Sequence, residues 1–193
     1  MRTTGPAQPA QFLLDVVDLL SELGIRYAVV GAFAAAYYGV PRATADADTV
    51  IWLEGSGNTE QDVKNHLVSK GCHVELKRGD IDDPISKALI VKDRYENRVD
   101  ALVGIRGMDP QAPDRCVSAS LLDSSLRIIG VEDLIAMKIF AGGLQDLEDV
   151  RGILKVSGML LNFRLLRTLT ARYSPEVTRQ LDALLKEFPT GMG

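Results

Sequence analysis

The sequence predicts an α/β (α+β) chain, an α/β half followed by a helical half, with a soft boundary near residue 130. Three observations carry this. Short apolar runs with β-branched centres, such as Tyr27 to Val30 and Asp46 to Leu53, alternate with helical stretches in the first part. Glycine and proline punctuation at Gly31, at Gly39-Val40-Pro41 and at Gly55-Ser56-Gly57-Asn58 separates them. Beyond Arg127 to Ile129 the apolar spacing turns wholly helical.

Taken in order, residues 1–10 carry Gly5, Pro6 and Pro9 with little apolar content and read as a frayed, flexible arm. Residues 11–130 form the α/β domain. Phe12, Leu13, Val16, Val17, Leu19, Leu20 and Leu23 recur at helical spacing up to Gly24. A buried strand follows at Tyr27 to Val30, and the Ala-rich run Ala32 to Tyr38 favours a short helix. Asp46 to Leu53 is a second strand, and Thr59 caps a helix running to about Lys70. His73 to Lys77, Ala88 to Lys92 and Arg98 to Val103 are further strands, the last two joined by the polar turn Asp93 to Asn97. Residues 131–193 form a C-terminal helical region with helices at Val131 to Ala141, Leu147 to Val156, Leu160 to Ala171 and Pro175 to Phe188.

Composition excludes several classes. The apolar share of 46% and the charged share of 25% are those of an ordinary globular chain of 193 residues, enough for one core with a helical appendage. No stretch approaches the roughly 18 to 20 apolar residues of a membrane span, so a cytoplasmic protein without membrane contact is expected. Cys72 and Cys116 have no CxxC spacing and read as reduced thiols, not as a disulfide or zinc framework. A net charge of -4 argues against a broad nucleic-acid-coating surface, while leaving room for a local basic patch.

The candidate chemistry begins with Asp46 and Asp48. Two apart at the start of a strand, they point to one face, and carboxylates that close repel unless a cation lies between them. Magnesium suits such a hard oxygen site and completes its shell with waters and substrate phosphates. An isolated Asp-x-Asp pair is also compatible with a solvated strand end. Gly31 follows a strand and precedes a short helix, the arrangement in which backbone amides can hold a phosphate. Asp100 is a third acid, inside the otherwise apolar strand 98–103, which either faces solvent or joins a charged site.

Together, Val30-Gly31-Ala32, Arg42-Ala43-Thr44-Ala45-Asp46-Ala47-Asp48 and the later Asp100 resemble the signature of the polymerase-β-like nucleotidyltransferase superfamily. The run Glu132-Asp133-Leu134-Ile135-Ala136-Met137-Lys138-Ile139-Phe140-Ala141, followed by Asp146-Leu147-Glu148-Asp149, resembles the abortive-infection (AbiE) toxin-type branch. The resemblance spans residues 25 to 155 and implies a small mixed β-sheet flanked by helices. It implies a two-ion Mg2+ site on Asp46, Asp48 and Asp100, and a nucleoside triphosphate (NTP) whose monophosphate passes to an acceptor. Asp46 and Asp48 hold the triphosphate's ions, and Asp100 binds the second ion near the acceptor and helps remove its proton. Gly31, Ala32, Arg42, Thr44 and Lys138 are the candidates for phosphate contact, with Asp146 and Asp149 as additional acid or base groups.

The toxin-type branch further implies a macromolecular acceptor, transfer RNA or protein, and a cognate antitoxin partner. A small-molecule acceptor of aminoglycoside type is the alternative. Two positions depart from the pattern: Ala32 stands where the superfamily turn has Gly or Ser, and Gly143 lies where the toxin-type branch places an Arg. They motivate a third reading, a catalytically weakened relative that binds a nucleotide or a protein partner.

Several residues keep two readings. Lys138, between Ile135 and Phe140 on an apolar face, is a phosphate ligand or a snorkelling lysine. Asp146 and Asp149 share a helix face and also suit first-turn complementation of the helix dipole. Arg42 and Thr44 contact phosphate or acceptor, or are solvated loop residues. Trp52 has the strand parity of Asp48 and either stacks on a base or packs in the core. Arg164, Arg167 and Arg172 fall on one helix face and form either an RNA-phosphate stripe or an ordinary solvated face. His66 and His73 have no partner spacing that suggests zinc or a catalytic base.

Overall fold

The computed structural model describes residues 1–80 and 83–188, apart from the side chain of Met159. It contains helices α1 (Pro9–Glu22), α2 (Gly31–Tyr37), α3 (Glu60–Ser69), α4 (Val131–Ala141), α5 (Leu144–Ser157), α6 (Phe163–Tyr173) and α7 (Pro175–Leu185). The strands are β1 (Arg26–Val29), β2 (Asp46–Trp52), β3 (His73–Arg78), β4 (Ile85–Lys92), β5 (Arg98–Ile105), β6 (Val117–Leu121) and β7 (Ser124–Ile128). They form one seven-stranded sheet in the order β3-β4-β5-β2-β1-β7-β6. The sheet is mixed: β2 runs parallel to β5 and β1 parallel to β7, and the other neighbours are antiparallel.

Side-chain alternation decides which face of this sheet is core and which is site. On β2, Ala47, Thr49 and Ile51 point inward and are buried, while Asp46, Asp48 and Trp52 are only partly covered. The inward face meets α1, whose Phe12, Leu13, Val16, Val17 and Leu20 are at most 2% exposed and which packs on β1, β2 and β5. Buried Thr49 donates its hydroxyl to the Ala28 carbonyl, so the one polar side chain on that strand face is satisfied. On the other face α2 packs against β2 and against α4, and α4 in turn carries α5, α6 and α7. No described helix is long and apolar enough to cross a membrane.

Several features differ from the sequence reading, among them β4 and α5, which each begin three residues earlier than expected, at Ile85 and Leu144. The β6–β7 hairpin is an additional element, because alternating serines and alanine on an edge give little apolar contrast. Helix α6 starts at Phe163 because the Asn162 side chain caps it, accepting from the Leu165 amide at 3.0 Å. The expected frayed arm is held down. The amide of Arg2 donates to Asp15 at 2.7 Å, and the Arg2 guanidinium reaches Asp18. Buried Asn97 accepts from the Gln8 amide at 2.7 Å and donates to the Gly5 carbonyl at 2.9 Å. The turn after β4 thus staples residues 5–8, and α1 starts as early as Pro9.

Asn97 also donates to Asp93, so its side chain serves both the turn and the arm. Asn97→Ala leaves several of those groups unpaired, and a loss of about 1–3 kcal/mol is expected. Thermal unfolding should show a lowered midpoint, and limited proteolysis should cut before α1 sooner than in the parent chain.

Candidate active site

Gly31 closes β1 and opens α2 with a φ of 59°, in the left-handed region where glycine is favoured. A Cβ at this position would lie 2.0 Å from Oδ2 of Asp48, so the backbone is also pressed against that carboxylate. The Val30 amide donates to the Asp48 carbonyl at 2.9 Å, which fixes the turn to β2. No side chain caps α2, and the first-turn amides of a helix have no acceptor within it. Ala32 is 4% exposed, its methyl group packed inward.

The parallel pairing of β2 with β5 puts Asp48 opposite Asp100 and Asp46 opposite Arg98. All four side chains therefore share one sheet face. Burial, together with the nearby Asp46 and Asp100 charges, pushes Asp48 up to about 6, against the opposing pull of Lys138 and Arg98. Asp100 is gripped by Arg98, whose Nε and Nη2 donate to Oδ1 and Oδ2 at 2.6 Å each. Among the described residues no group of three or more His, Cys, Asp or Glu side chains is spaced to hold a metal ion. Asp46, Asp48 and Asp100 are nonetheless hard oxygen donors on one partly buried sheet face, and the charge crowding at Asp48 is of the kind a cation would relieve. Asp46 and Asp48 have no ion pair among the described residues, whereas Asp100 would have to share itself with Arg98.

The loop before β2 orients rather than faces the site. Thr44 donates its hydroxyl to the Asp46 backbone carbonyl and side-chain Oδ1, at 2.9 and 3.0 Å. Arg42 turns away to α5, where Nε lies 3.1 Å from Oδ1 of Asp149. Asp149 is fully buried. Burial opposes its charge, but the hydrogen bonds from Lys138 and Arg42 outweigh that and hold its carboxyl below the usual range. Lys138, 3% exposed on α4, donates to Asp146 at 2.8 Å and lies 2.7 Å from Asp149.

Gly31, Asp48, Lys138 and Asp146 line one cavity of about 260 Å³, walled by Ile85, Leu102, Ile105 and Phe140. The sequence candidates thus divide. Four meet around this cavity, Asp46 and Asp100 flank it on the strands, Asp149 with Arg42 acts on Lys138 from behind, and Thr44 holds Asp46. Trp52, at the far end of β2, lines a different cavity of about 650 Å³ with Glu54, Glu60 and Lys87. Arg167 pairs with Asp182 and Arg172 lies by Asp109, so much of the arginine stripe is neutralised locally. His66 lies 3.2 Å from Glu22 on the helical layer, and His73 is exposed on β3. Arg98 is the site residue that sequence reasoning passed over. Its signal was the Arg-x-Asp spacing, which places it on the same strand face as Asp100.

No family model and no curated protein matches the chain. Solved structures do. A nucleotidyltransferase-like antigenic protein from Paracoccidioides brasiliensis aligns with a TM-score of 0.56 at 18% identity, covering 97% of this chain and 92% of that one. ANT(2″)-Ia in complex with adenylyl-2″-tobramycin aligns at 0.59 and 13% identity, covering 85% and 95%. The lincosamide antibiotic adenylyltransferase LnuA, with lincomycin bound, aligns at 0.50 and 14% identity, covering 79% and 99%. At these identities the likeness is one of fold: the chain has the mixed α/β architecture of nucleotidyltransferase-like proteins.

Proposed function

We propose that this chain is a magnesium-dependent nucleotidyltransferase that moves a nucleoside monophosphate from a triphosphate to an acceptor. The observation that carries the reading is the single sheet face on which Asp46, Asp48 and Asp100 lie together, with the Gly31 turn pressed on Asp48 and Lys138 across a shared cavity. In the reaction an acceptor hydroxyl oxygen attacks the α-phosphorus in line, its proton passes to the Asp100 carboxylate, and its new bond forms as the bond to the bridging oxygen breaks and pyrophosphate leaves. Magnesium ions on Asp46, Asp48 and Asp100 would supply charge neutralisation for the entering and leaving oxygens.

The protein's own groups do the positioning. The Gly31 and Ala32 amides and the Lys138 ammonium suit the phosphate chain, and Thr44 keeps Asp46 aimed. Arg98 offsets the charge of Asp100. Arg42 reaches the site through Asp149, so its part is to position rather than to touch phosphate.

Two acceptor readings have support. The AbiE-type resemblance favours transfer RNA or a protein hydroxyl, with an antitoxin as partner. The fold shared with adenylyltransferases of an aminoglycoside and a lincosamide favours a small molecule. The local pairing of Arg167 and Arg172 with acidic groups weighs toward the smaller acceptor, because it leaves less positive surface for RNA phosphates.

With α-labelled triphosphates, Mg2+, and in turn total RNA, protein and aminoglycosides, label is expected to enter one acceptor class. It should vanish with EDTA and fall at least about 100-fold in Asp48→Asn, a loss of the size found when one preorganised electrostatic group is removed. Binding of triphosphate that is indifferent both to magnesium and to Asp48→Asn would instead identify a non-catalytic relative. Stability should move the other way. In EDTA at neutral pH, Asp48→Asn removes a crowded charge and should raise the unfolding midpoint by roughly 2–4 °C per kcal/mol recovered. A midpoint unchanged or lowered there would contradict the charge crowding described at Asp48.

A further inference from the structure

We propose that Asp146 occupies, in the ligand-free protein, the place of a phosphate group on Lys138 and leaves it when a polyphosphate binds, while Asp149 is the permanent anchor of that lysine. The inference rests on the transferase reading, which puts a triphosphate in the cavity between Gly31 and Lys138.

A buried ammonium has three protons to place, and leaving it without an anionic partner is strongly unfavourable. Lys138 is 3% exposed and its two carboxylate partners are unlike one another. Asp149 is fully buried and saturated. Its Oδ1 accepts from Arg42 Nε at 3.1 Å and from Gln145 at 3.2 Å, and its Oδ2 meets Lys138 at 2.7 Å and Arg42 Nη2 at 3.3 Å. Moving it would strand an arginine and a lysine together, so it is neither free to swing nor able to accept a substrate proton. Asp146 sits in the first turn of α5, with a third of its side chain exposed and a 2.8 Å bond to Lys138. It also lines the cavity shared with Gly31 and Asp48, whereas Asp149 does not.

A phosphate oxygen entering that cavity meets Lys138 where the Asp146 carboxylate already stands. Exchanging one anion for another keeps the lysine paired and costs no unpaired buried charge, and the exposed side of Asp146 gives its carboxylate water to move into. The two acids that share a helix face thus have opposite duties. Asp149 fixes where the cation is, and Asp146 sets how strongly a ligand anion must compete for it.

Calorimetry with inorganic pyrophosphate, in Mg2+ and again in EDTA, tests this on the full chain. Asp146→Asn keeps the shape and removes the charge, and should bind pyrophosphate about tenfold more tightly than the parent, the ratio given by ~1.4 kcal/mol, as one competing charge-assisted bond is weakened. Asp146→Ser should do the same and guards against a fault peculiar to Asn. The gain should disappear in Asp146→Asn combined with Lys138→Met, and Asp149→Asn should lower the unfolding midpoint without tightening binding. Parent and Asp146 variants binding equally, or a gain that survives loss of Lys138, would overturn the exchange while leaving the transferase reading standing. Pyrophosphate binding by none of the proteins would remove the anion site and both readings with it.

Discussion

The parallel ladder between β2 and β5 is the constraint on which the site depends. Its register sets Asp48 beside Asp100, and because side chains alternate, a slip of one residue would send the carboxylates into the core beneath α1. The register is held from the opposite face. Ala47, Ile51, Val99 and Ala101 are at most 1% exposed and lie on the α1 side, and the buried Thr49 hydroxyl is bonded to β1. Apolar burial on one face therefore specifies charge placement on the other. Asp48 sits there at a cost.

That cost is distributed by the helical part of the chain. α4 brings Lys138 under the Gly31 turn, and α5 brings Asp149 beneath it with Arg42 reaching in from the loop that leads to Asp46. Losing Asp149 would leave Lys138 and Arg42 short of a carboxylate at a cost in stability, and Asp149 depends on both in return. The ion cluster links the β2 approach loop to two helices, which couples the position of Asp46 to the packing of residues far along the chain. The proposed chemistry therefore depends on this part of the chain for positioning as well as for a phosphate contact.

Much of this architecture is legible from the residues themselves. β1, β2, β5 and α4 announce themselves because Gly31, the β-branched Val50 and Ile51, and the apolar run 131–141 each leave one local solution. The β6–β7 hairpin is not legible, since Ser118, Ala119 and Ser120 have neither apolar contrast nor a glycine turn. The tethered arm is equally hidden: Gly5 and Pro6 read as loop, and only the distant Asn97 turns them into partners. At the site, the acids are visible as a motif, but their division of labour is not. Asp146 and Asp149 look equivalent by helical spacing, and their different depths are set by tertiary packing, which puts Arg42 and Gln145 on one of them alone. Arg98 was hidden for a different reason. An arginine at a strand start normally means solvent, and its role appears only when Asp100 is seen to be its partner.

The pairing of charges also explains why the site is organised around Asp46 and Asp48. Arg98 is committed to Asp100, and Lys138 and Arg42 are committed to Asp146 and Asp149. These three cations are thus matched before a ligand arrives, while Asp46 and Asp48 have no ion pair among the described residues. On the proposed transferase reading, a hard cation would be held by these two carboxylates and would supply the charge balance they lack. Lys138 lines the same cavity as Asp48 and Gly31, so on that reading a polyphosphate entering it would meet a cationic group of the chain itself.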